Sequence, residues 1–339
     1  MREKLNLSRK KLIAFGDVNV DLVTEIPHVQ EACNVKPQPE AHLLGGGTIG
    51  NTATGAARLG IDTCFLGKIG RDRYGKFLKD AFEEDGVDTS HLLEDSQEYT
   101  VMVLAFIDSG GEKHNVTFPR TGGAHFNVTV PEVDSQVWSR AGWFHTSGIS
   151  LGEEPCRSTT LELMRQAREK DLIVSFDLNL RLEYFGWRSG VKEAVLEAMA
   201  LSDVVFMSRN EELAPLTGET SVSKGITSLT ELYPSGSQYI SPGQQTIIVR
   251  QGEAPVIVCE NGISFRFPCF QVSVVDTLGA GDAFNAGFIA AQLNGKDLEE
   301  SLTWAHGVAG FNLTHRGARG MPLKKELLEF ISFHHRIPG

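Results

Sequence analysis

The chain has no paired cysteines, no long apolar run and no surplus of positive charge, and each absence removes a class of function. Its five cysteines, Cys33, Cys64, Cys156, Cys259 and Cys269, are odd in number and scattered, with no CxxC pair. That pattern argues against a disulfide framework or a cysteine zinc site and for buried free thiols. No segment approaches the roughly 18 consecutive apolar residues of a membrane span. The start, MREKLNLSRKK, is basic and polar, and no apolar stretch of signal-peptide length follows it. A cytoplasmic protein with no membrane association is expected. The net charge is -11 over 339 residues, which disfavours nucleic acid, whose phosphate backbone calls for basic patches. A single anionic nucleotide is still allowed, because a few local N–H groups can hold it. Three catalytic signatures are missing as well: the GxxxxGK[ST] phosphate loop, the HExxH helix and the GxSxG nucleophile turn. There is no internal repeat.

Against these absences stands a regular alternation. Short β-branched runs (Leu12–Phe15, Val101–Ile107, Leu172–Asp177, Asp203–Met207, Thr246–Arg250) are interleaved with helical patterns (Tyr74–Asp85, Ser158–Lys170, Val191–Leu201, Ala283–Asn294). This predicts an α/β fold, a mostly parallel sheet with helices on both faces. Ligands on such sheets sit outside the carboxyl ends of the strands. Residues 17–44 and 97–126 break the alternation and read as strands and turns of a small second sheet, a flap on the main one. Residues 219–245 are rich in Ser, Thr, Gly and Pro and read as a surface excursion.

The most informative stretch is Asp276-Thr277-Leu278-Gly279-Ala280-Gly281-Asp282-Ala283-Phe284. It follows a strand-like run, Val272–Val275, and precedes the helical pattern Ala283–Asn294. A turn of small residues that opens a helix leaves backbone N–H groups unpaired, and with the helix dipole they form an anion site. Gly279, Ala280 and Gly281 carry too little side chain to block a phosphate. Asp282 would repel one, so its place there makes sense if it accepts a proton from an attacking hydroxyl. The bland alternative is an aspartate that merely caps the helix.

A second motif, Gly45-Gly46-Gly47-Thr48-Ile49-Gly50-Asn51, runs into a helix predicted over Thr52–Leu59 and closed by Gly60. Its glycines let backbone approach a polyhydroxy ligand, and Asn51 offers both a donor and an acceptor to a hydroxyl. Asp21, after the first strand, suits a pair of sugar hydroxyls, or is a solvated turn carboxylate. Gly45, Gly47 and Gly50 also spell GxGxxG, but a dinucleotide fingerprint directly follows the first strand. Here that strand ends near Gly16-Asp17, roughly thirty residues earlier.

Together the two motifs, DTxGAGDxF at Asp276–Phe284 and GGxxxNxAxxxARLG at Gly46–Gly60, resemble the signatures of the PfkB, ribokinase-like family of carbohydrate kinases. The resemblance runs from Gly16 to about Gly317. It implies a single kinase domain over 1–339, ribokinase-like, with a small β-sheet lid built from residues 17–44 and 97–126. It also implies a homodimer formed through that lid. By this resemblance Asp282 falls on the catalytic base, and Gly279, Ala280 and Gly281 on the anion hole. Asp21, Gly46, Gly47 and Asn51 fall on sugar positions, and Asp276 near a site for K+. ATP and Mg2+ are the implied donor and metal.

Asp177-Leu178-Asn179-Leu180-Arg181 resembles the DxNxR segment of fructokinase-like and 2-keto-3-deoxygluconate kinase-like members. Arg181 there holds a phosphate or sugar acid, or pairs with Asp177. By the same resemblance Asn179, Gly252 and the helix around His306 are expected to outline the nucleotide groove, although His306 also reads as a packed helix residue. Counting back from Leu216-Thr217-Gly218 puts the magnesium-steering glutamate at Glu212, with Arg209 where Asn or Ser is usual and Glu211 and Asn210 adjacent. Pro255 replaces a second nucleotide-side glycine, and Phe185 a common Trp. The expected activity is ATP-dependent phosphorylation of a hexose, keto-sugar acid or pentose. A nucleoside kinase of the same family and a non-catalytic ATP-binding relative are the alternatives.

Overall fold

In the computed structural model, which describes residues 9–25, 41–107, 113–119, 122–182, 186–187, 190–234, 236, 240 and 242–334, the first strand lies inside a large sheet. In chain order the strands and helices begin with β1 (Lys11–Phe15), β2 (Asn19–Glu25), β3 (His42–Gly46), α1 (Thr48–Arg58), β4 (Thr63–Gly70), α2 (Arg73–Glu84) and β5 (Leu92–Asp95). They continue with β6 (Met102–Ile107), β7 (Lys113–Phe118), β8 (Ala141–Ser147), α3 (Cys156–Glu169), β9 (Ile173–Asp177), α4 (Val191–Ala200) and β10 (Val204–Ser208). The last are α5 (Ala214–Thr217), α6 (Val222–Leu232), β11 (Thr246–Gln251), β12 (Ala254–Glu260), β13 (Ile263–Phe267), α7 (Ala280–Leu293), α8 (Leu298–Leu313) and α9 (Lys324–Phe333).

The large sheet runs β13-β12-β11-β10-β9-β8-β1-β4-β5. Its pairs from β11 through β5 are parallel, and the β11-β12-β13 edge is antiparallel. Period-2 alternation along β1 sends Leu12 and Ala14 to one core and Ile13 and Phe15 to the other. The first core lies under α1, α7 and α8 and includes Phe206, Phe284 and Phe288; the second lies under α3 and α4 and includes Phe144, Phe176 and Met207. Both faces are therefore covered, as a parallel sheet requires. The strand order reverses at β1: the chain leaves it toward β4 on one side and later returns to β8 on the other. A crevice opens at the carboxyl ends of such neighbours.

A second sheet, β3-β2-β6-β7, is drawn from the segments read as flap. Within those segments, residues 26–40, 108–112 and 120–121 lie outside the described residues, as does Phe185. The base of β6 is tied to the main body: Asp72, which caps α2 by accepting from the Tyr74 and Gly75 N–H groups, also accepts from Thr100 N at 2.9 Å.

Two readings of the sequence need correction. Residues 219–245 contain α6, whose Val222, Ile226 and Leu229 form a buried stripe at helical spacing that the Ser/Thr/Gly composition hid. The run Val272–Val275 is not a strand. Val274 and Val275 are exposed, and the Val275 N–H donates to Leu313 O at the end of α8 rather than to a neighbouring strand. No helix among the described residues is long and apolar enough to cross a membrane.

Candidate active site

Helix α1 starts at the strand-order reversal, earlier than the predicted Thr52, and a buried carboxylate fixes its start. Asp17, just past β1, accepts from Thr48 N at 2.7 Å and Ile49 N at 3.4 Å, and from the Ser147 hydroxyl at the end of β8 at 3.2 Å. It acts as a cap supplied from a distant part of the chain, satisfying donors that open a helix. Burial pushes its carboxyl up from the usual range, against those hydrogen bonds. Gly47 enters the helix with φ 90, and a Cβ there would stand 2.6 Å from Val18 Cα, so only glycine fits. Gly46 makes room for another acid: a Cβ on it would lie 2.5 Å from Asp21 Oδ2. The first predicted sugar positions, Asp21, Gly46, Gly47 and Asn51, thus share one corner between β2, β3 and α1.

Helix α7 begins at Ala280, three residues before the predicted Ala283, which places Ala280, Gly281 and Asp282 in its first turn after Gly279. Their N–H groups are the ones without intrahelical acceptors. Asp282 does not cap its own helix through its side chain. Its Oδ2 accepts from Asn51 Nδ2 at 2.8 Å, so the two motifs, 231 residues apart, meet directly. Close helix packing makes this contact: one turn further along both helices, a Cβ on Gly55 would stand 2.7 Å from Ala286 Cβ. Burial pushes the Asp282 carboxyl up to about 8, with Asp177 and Asp17 adding to the rise and the Asn51 hydrogen bond and Arg250 opposing it. A base in that range takes a proton readily near neutral pH.

Beneath the loop lies a buried ionic network that the sequence reading missed. Arg250, at the end of β11, grips Asp177 with two hydrogen bonds, 2.7 Å from Nη2 and 3.2 Å from Nη1. Asn285 on α7 donates to Asp177 at 2.6 Å and accepts from Arg250 at 3.3 Å. A Cβ on Gly281 would sit 2.8 Å from Arg250 Nη1, so the guanidinium lies directly against the anion loop. An arginine closing an otherwise apolar strand was the available signal.

Glu212 joins this network. It is buried, whereas Asn210 and Glu211 are exposed. Burial first, and then Asp177, pushes its carboxyl up to about 7. Residues Arg209–Leu213 form a π-helical turn. The Ser208 hydroxyl accepts from Glu211 N at 3.3 Å, and the Ser208 N–H donates to Glu212 Oε2. Ser208, the residue before Arg209, is the one whose backbone and hydroxyl tie this turn to Glu212 and Glu211. Arg209 points outward and donates to Thr220 O.

The remaining predicted residues are placed as follows. Asp276 accepts from Leu278 N at 3.0 Å and Gly317 N at 2.9 Å, pinning the anion loop to the segment after α8. Asn179 turns toward the acceptor corner and donates to the Thr48 hydroxyl. Gly252, with φ 64, forms the exposed turn between β11 and β12. Arg181 is exposed, four residues past β9. His306 is buried, its ring packed between Phe267 (ring centroids 5.8 Å) and Phe284 (5.1 Å), the arrangement of a packed helix residue.

Arg319 also went unremarked. Its Nε donates to Asn51 Oδ1 at 3.2 Å and its Nη2 to Gly46 O at 3.1 Å, with the guanidinium 4.9 Å from the Phe82 ring centre. Nothing in the local sequence signals this, because its partners lie roughly 270 residues earlier.

Comparison with known proteins accounts for this architecture. A family model described as pfkB family carbohydrate kinase matches residues 9–325. A fructokinase of Vibrio alginolyticus is 31% identical over 325 residues, 93% of this chain and 97% of that protein. Among solved structures, the fructokinase with bound ATP from Xylella fastidiosa superposes with a TM-score of 0.82 at 27% identity, covering 96% of this chain and 98% of that one. The aminoimidazole riboside kinase from Salmonella enterica, complexed with aminoimidazole riboside and an ATP analog, gives 0.77 at 27% identity, covering 95% and 99%. The chain belongs to the pfkB family of carbohydrate kinases, phosphotransferases with an alcohol group as acceptor.

Proposed function

We propose that the chain transfers the γ-phosphoryl group of ATP to a hydroxyl of a hexose or keto-sugar, with Asp282 as the base. The observation that supports this reading is the Asn51–Asp282 hydrogen bond, which brings the carboxylate proposed as base next to the residues proposed to hold the sugar. The sugar lies on Asp21, Gly46, Gly47 and Asn51, and the small sheet covers it as a lid that excludes water. Asp282 takes the proton of the attacking hydroxyl, and the N–H groups of residues 279–281 face the charge on the transferring phosphoryl. Arg250, held against Gly281, adds a fixed positive charge behind them. ATP enters from the side of Gly252.

Mg2+ would be held through Glu212, whose buried carboxylate lies beside Asp177 and Arg250. No cluster of three acids, histidines or cysteines that could hold a metal occurs among the described residues, so the nucleotide's phosphates and water would supply the other ligands. When bound, the ion offsets phosphate charge. A potassium ion, if one is used, would be held through Asp276, whose carboxylate also accepts from Leu278 N and Gly317 N. A nucleoside acceptor is the second reading, supported by the likeness to the aminoimidazole riboside kinase.

The test is a coupled ADP-release assay with magnesium and potassium against hexoses, sugar acids, pentoses and nucleosides. One strong responder is expected, and Asp282→Asn lowers its turnover by about 10³-fold while ATP binding is kept. Near-normal turnover in Asp282→Asn would sink the base assignment. A nucleoside as the strong responder would replace the sugar reading.

A further inference from the structure

Arg319 lies in the segment after α8, at the corner where Asn51 meets Asp282, and its chemistry is one-sided: a guanidinium only donates. By donating Nε–H to Asn51 Oδ1 it obliges that amide to turn its oxygen toward the arginine, which leaves the NH2 group facing the Asp282 carboxylate. The opposite orientation would set an amide oxygen against a carboxylate oxygen. The site is built around this side chain. A Cβ on Gly50 would lie 2.9 Å from Arg319 Nη2, and one on Gly45 would collide with the guanidinium. Phe82 supplies a flat platform at 4.9 Å, and Gly46 O accepts a second hydrogen bond. Nη1 is buried with no hydrogen-bond partner among the described residues. Burial holds the guanidinium down to about 10, although Asp85, Asp21 and Asp282 favour its charge. A desolvated, partly unsatisfied cation is costly as packing alone, which points to a functional reason for keeping it.

We propose that Arg319 is a positioning residue for phosphoryl transfer: acting through Asn51, it locks the amide orientation that presents a hydrogen-bond donor to Asp282. This rests on Asp282 being the base. The groups that face Asp282 are Asn51 from α1, Asp17 from the loop after β1, Asp177 from β9, Arg250 from β11 and Arg319 itself. Of these, Asn51 is the one whose donor depends on Arg319. Without the lock the amide can rotate, the ionised form of Asp282 loses a donor, and protonation becomes easier.

The experiment is a double-mutant cycle with Arg319→Met and Asn51→Ala, read as kcat, KM and the pH profile of kcat/KM for the sugar found in the panel. Arg319→Met keeps an apolar stem on Phe82 and is expected to lower kcat about tenfold. It also moves the acidic limb of the profile upward by roughly half a unit. In the Asn51→Ala background the same substitution adds little, because the relay is already cut. Arg319→Lys keeps the charge but has one donor nitrogen for two acceptors; it shifts the limb the same way, less far, and serves if Arg319→Met does not fold. Multiplicative losses in the cycle, or a lower melting temperature with an unmoved acidic limb, would overturn the proposal and leave Arg319 a packing residue. Failure of the underlying base reading looks different: Asp282→Asn itself would then retain turnover.

Discussion

The acceptor half of the site and the nucleotide half were read from the same sequence, and they differ in how their residues are held. On the acceptor side Asp21, Gly46, Gly47, Asn51 and Asp282 converge on one corner, clamped by two helices that pack on small residues. On the nucleotide side Gly252 sits on an exposed turn, His306 is withdrawn between two rings, and Asn179 faces the acceptor helix. A helix-to-helix contact tolerates no inserted residue, because one extra position rotates every side chain by about 100°. Strand ends and turns absorb such changes. The rigid half is therefore spelled out in two short motifs that meet helix to helix, and the tolerant half is spread over loops.

This contrast can be broken at the network that joins the halves. Arg250 comes from β11, Glu212 from the turn after β10 and Asn285 from α7, and Asp177, at the end of β9, lies between them. Arg250→Met strips the partner from a buried carboxylate and should cost roughly 3–5 kcal/mol in a urea melt, with turnover falling too. A loss of less than about 1 kcal/mol would mean the halves are held together by other contacts.

Two glycines sharpen the comparison. Gly47→Ala meets a backbone wall at 2.6 Å and a left-handed φ, so it should cost about 2 kcal/mol and raise KM for the sugar. Gly252→Ala shares the left-handed φ but has open space around it. It should cost about 1 kcal/mol, and the constant it moves is KM for ATP. Equal costs at both positions would remove the distinction between a rigid and a tolerant half.

A smaller effect tests the electrostatics of the acceptor half. Asp282 titrates near 8 in the fold against about 3.9 in an unfolded chain. Between those values the folded protein keeps a proton that the unfolded chain releases, so this group lowers stability progressively as pH rises. Asp282→Asn removes the penalty. The variant should melt a few degrees above the parent at pH 8, with the gap closing toward pH 5; a gap that does not depend on pH would contradict the raised carboxyl. Smallest of all, His306→Phe should change stability by less than about 1 kcal/mol and leave KM for ATP alone. A several-fold rise in that KM would return His306 to the nucleotide groove.

Much of the architecture was legible locally. The β-branched runs at Leu12–Phe15, Asp203–Met207 and Thr246–Arg250 are strands, because both faces of the sheet are buried and period-2 burial selects such residues. The run at Val272–Val275 has the same composition but no strand to pair with, so composition misled. Helix α6 was hidden for the reverse reason: its buried stripe is short and its exposed positions include Ser223, Lys224, Thr227 and Glu231. In the site, Glu212 was reached by counting, and the structure showed that burial and the neighbouring Asp177–Arg250 pair, not spacing, distinguish it from Glu211.

The sequence by itself determined what is encoded within a few residues. Small side chains before Asp282 mark a helix start with open N–H groups, glycines before Asn51 mark a close approach, and alternating runs mark a parallel sheet. Only the tertiary structure decided how those pieces act together: that Asn51 donates to Asp282, that Asp17 caps a helix thirty-one residues away, that Arg250 backs the anion loop, and that Arg319 holds Asn51 from 268 residues further on. The reason is physical. Helix and turn preferences are set by neighbours in the chain, whereas the pairing of buried polar groups is set by which partners the packed core brings within about 3 Å, and no local pattern records that.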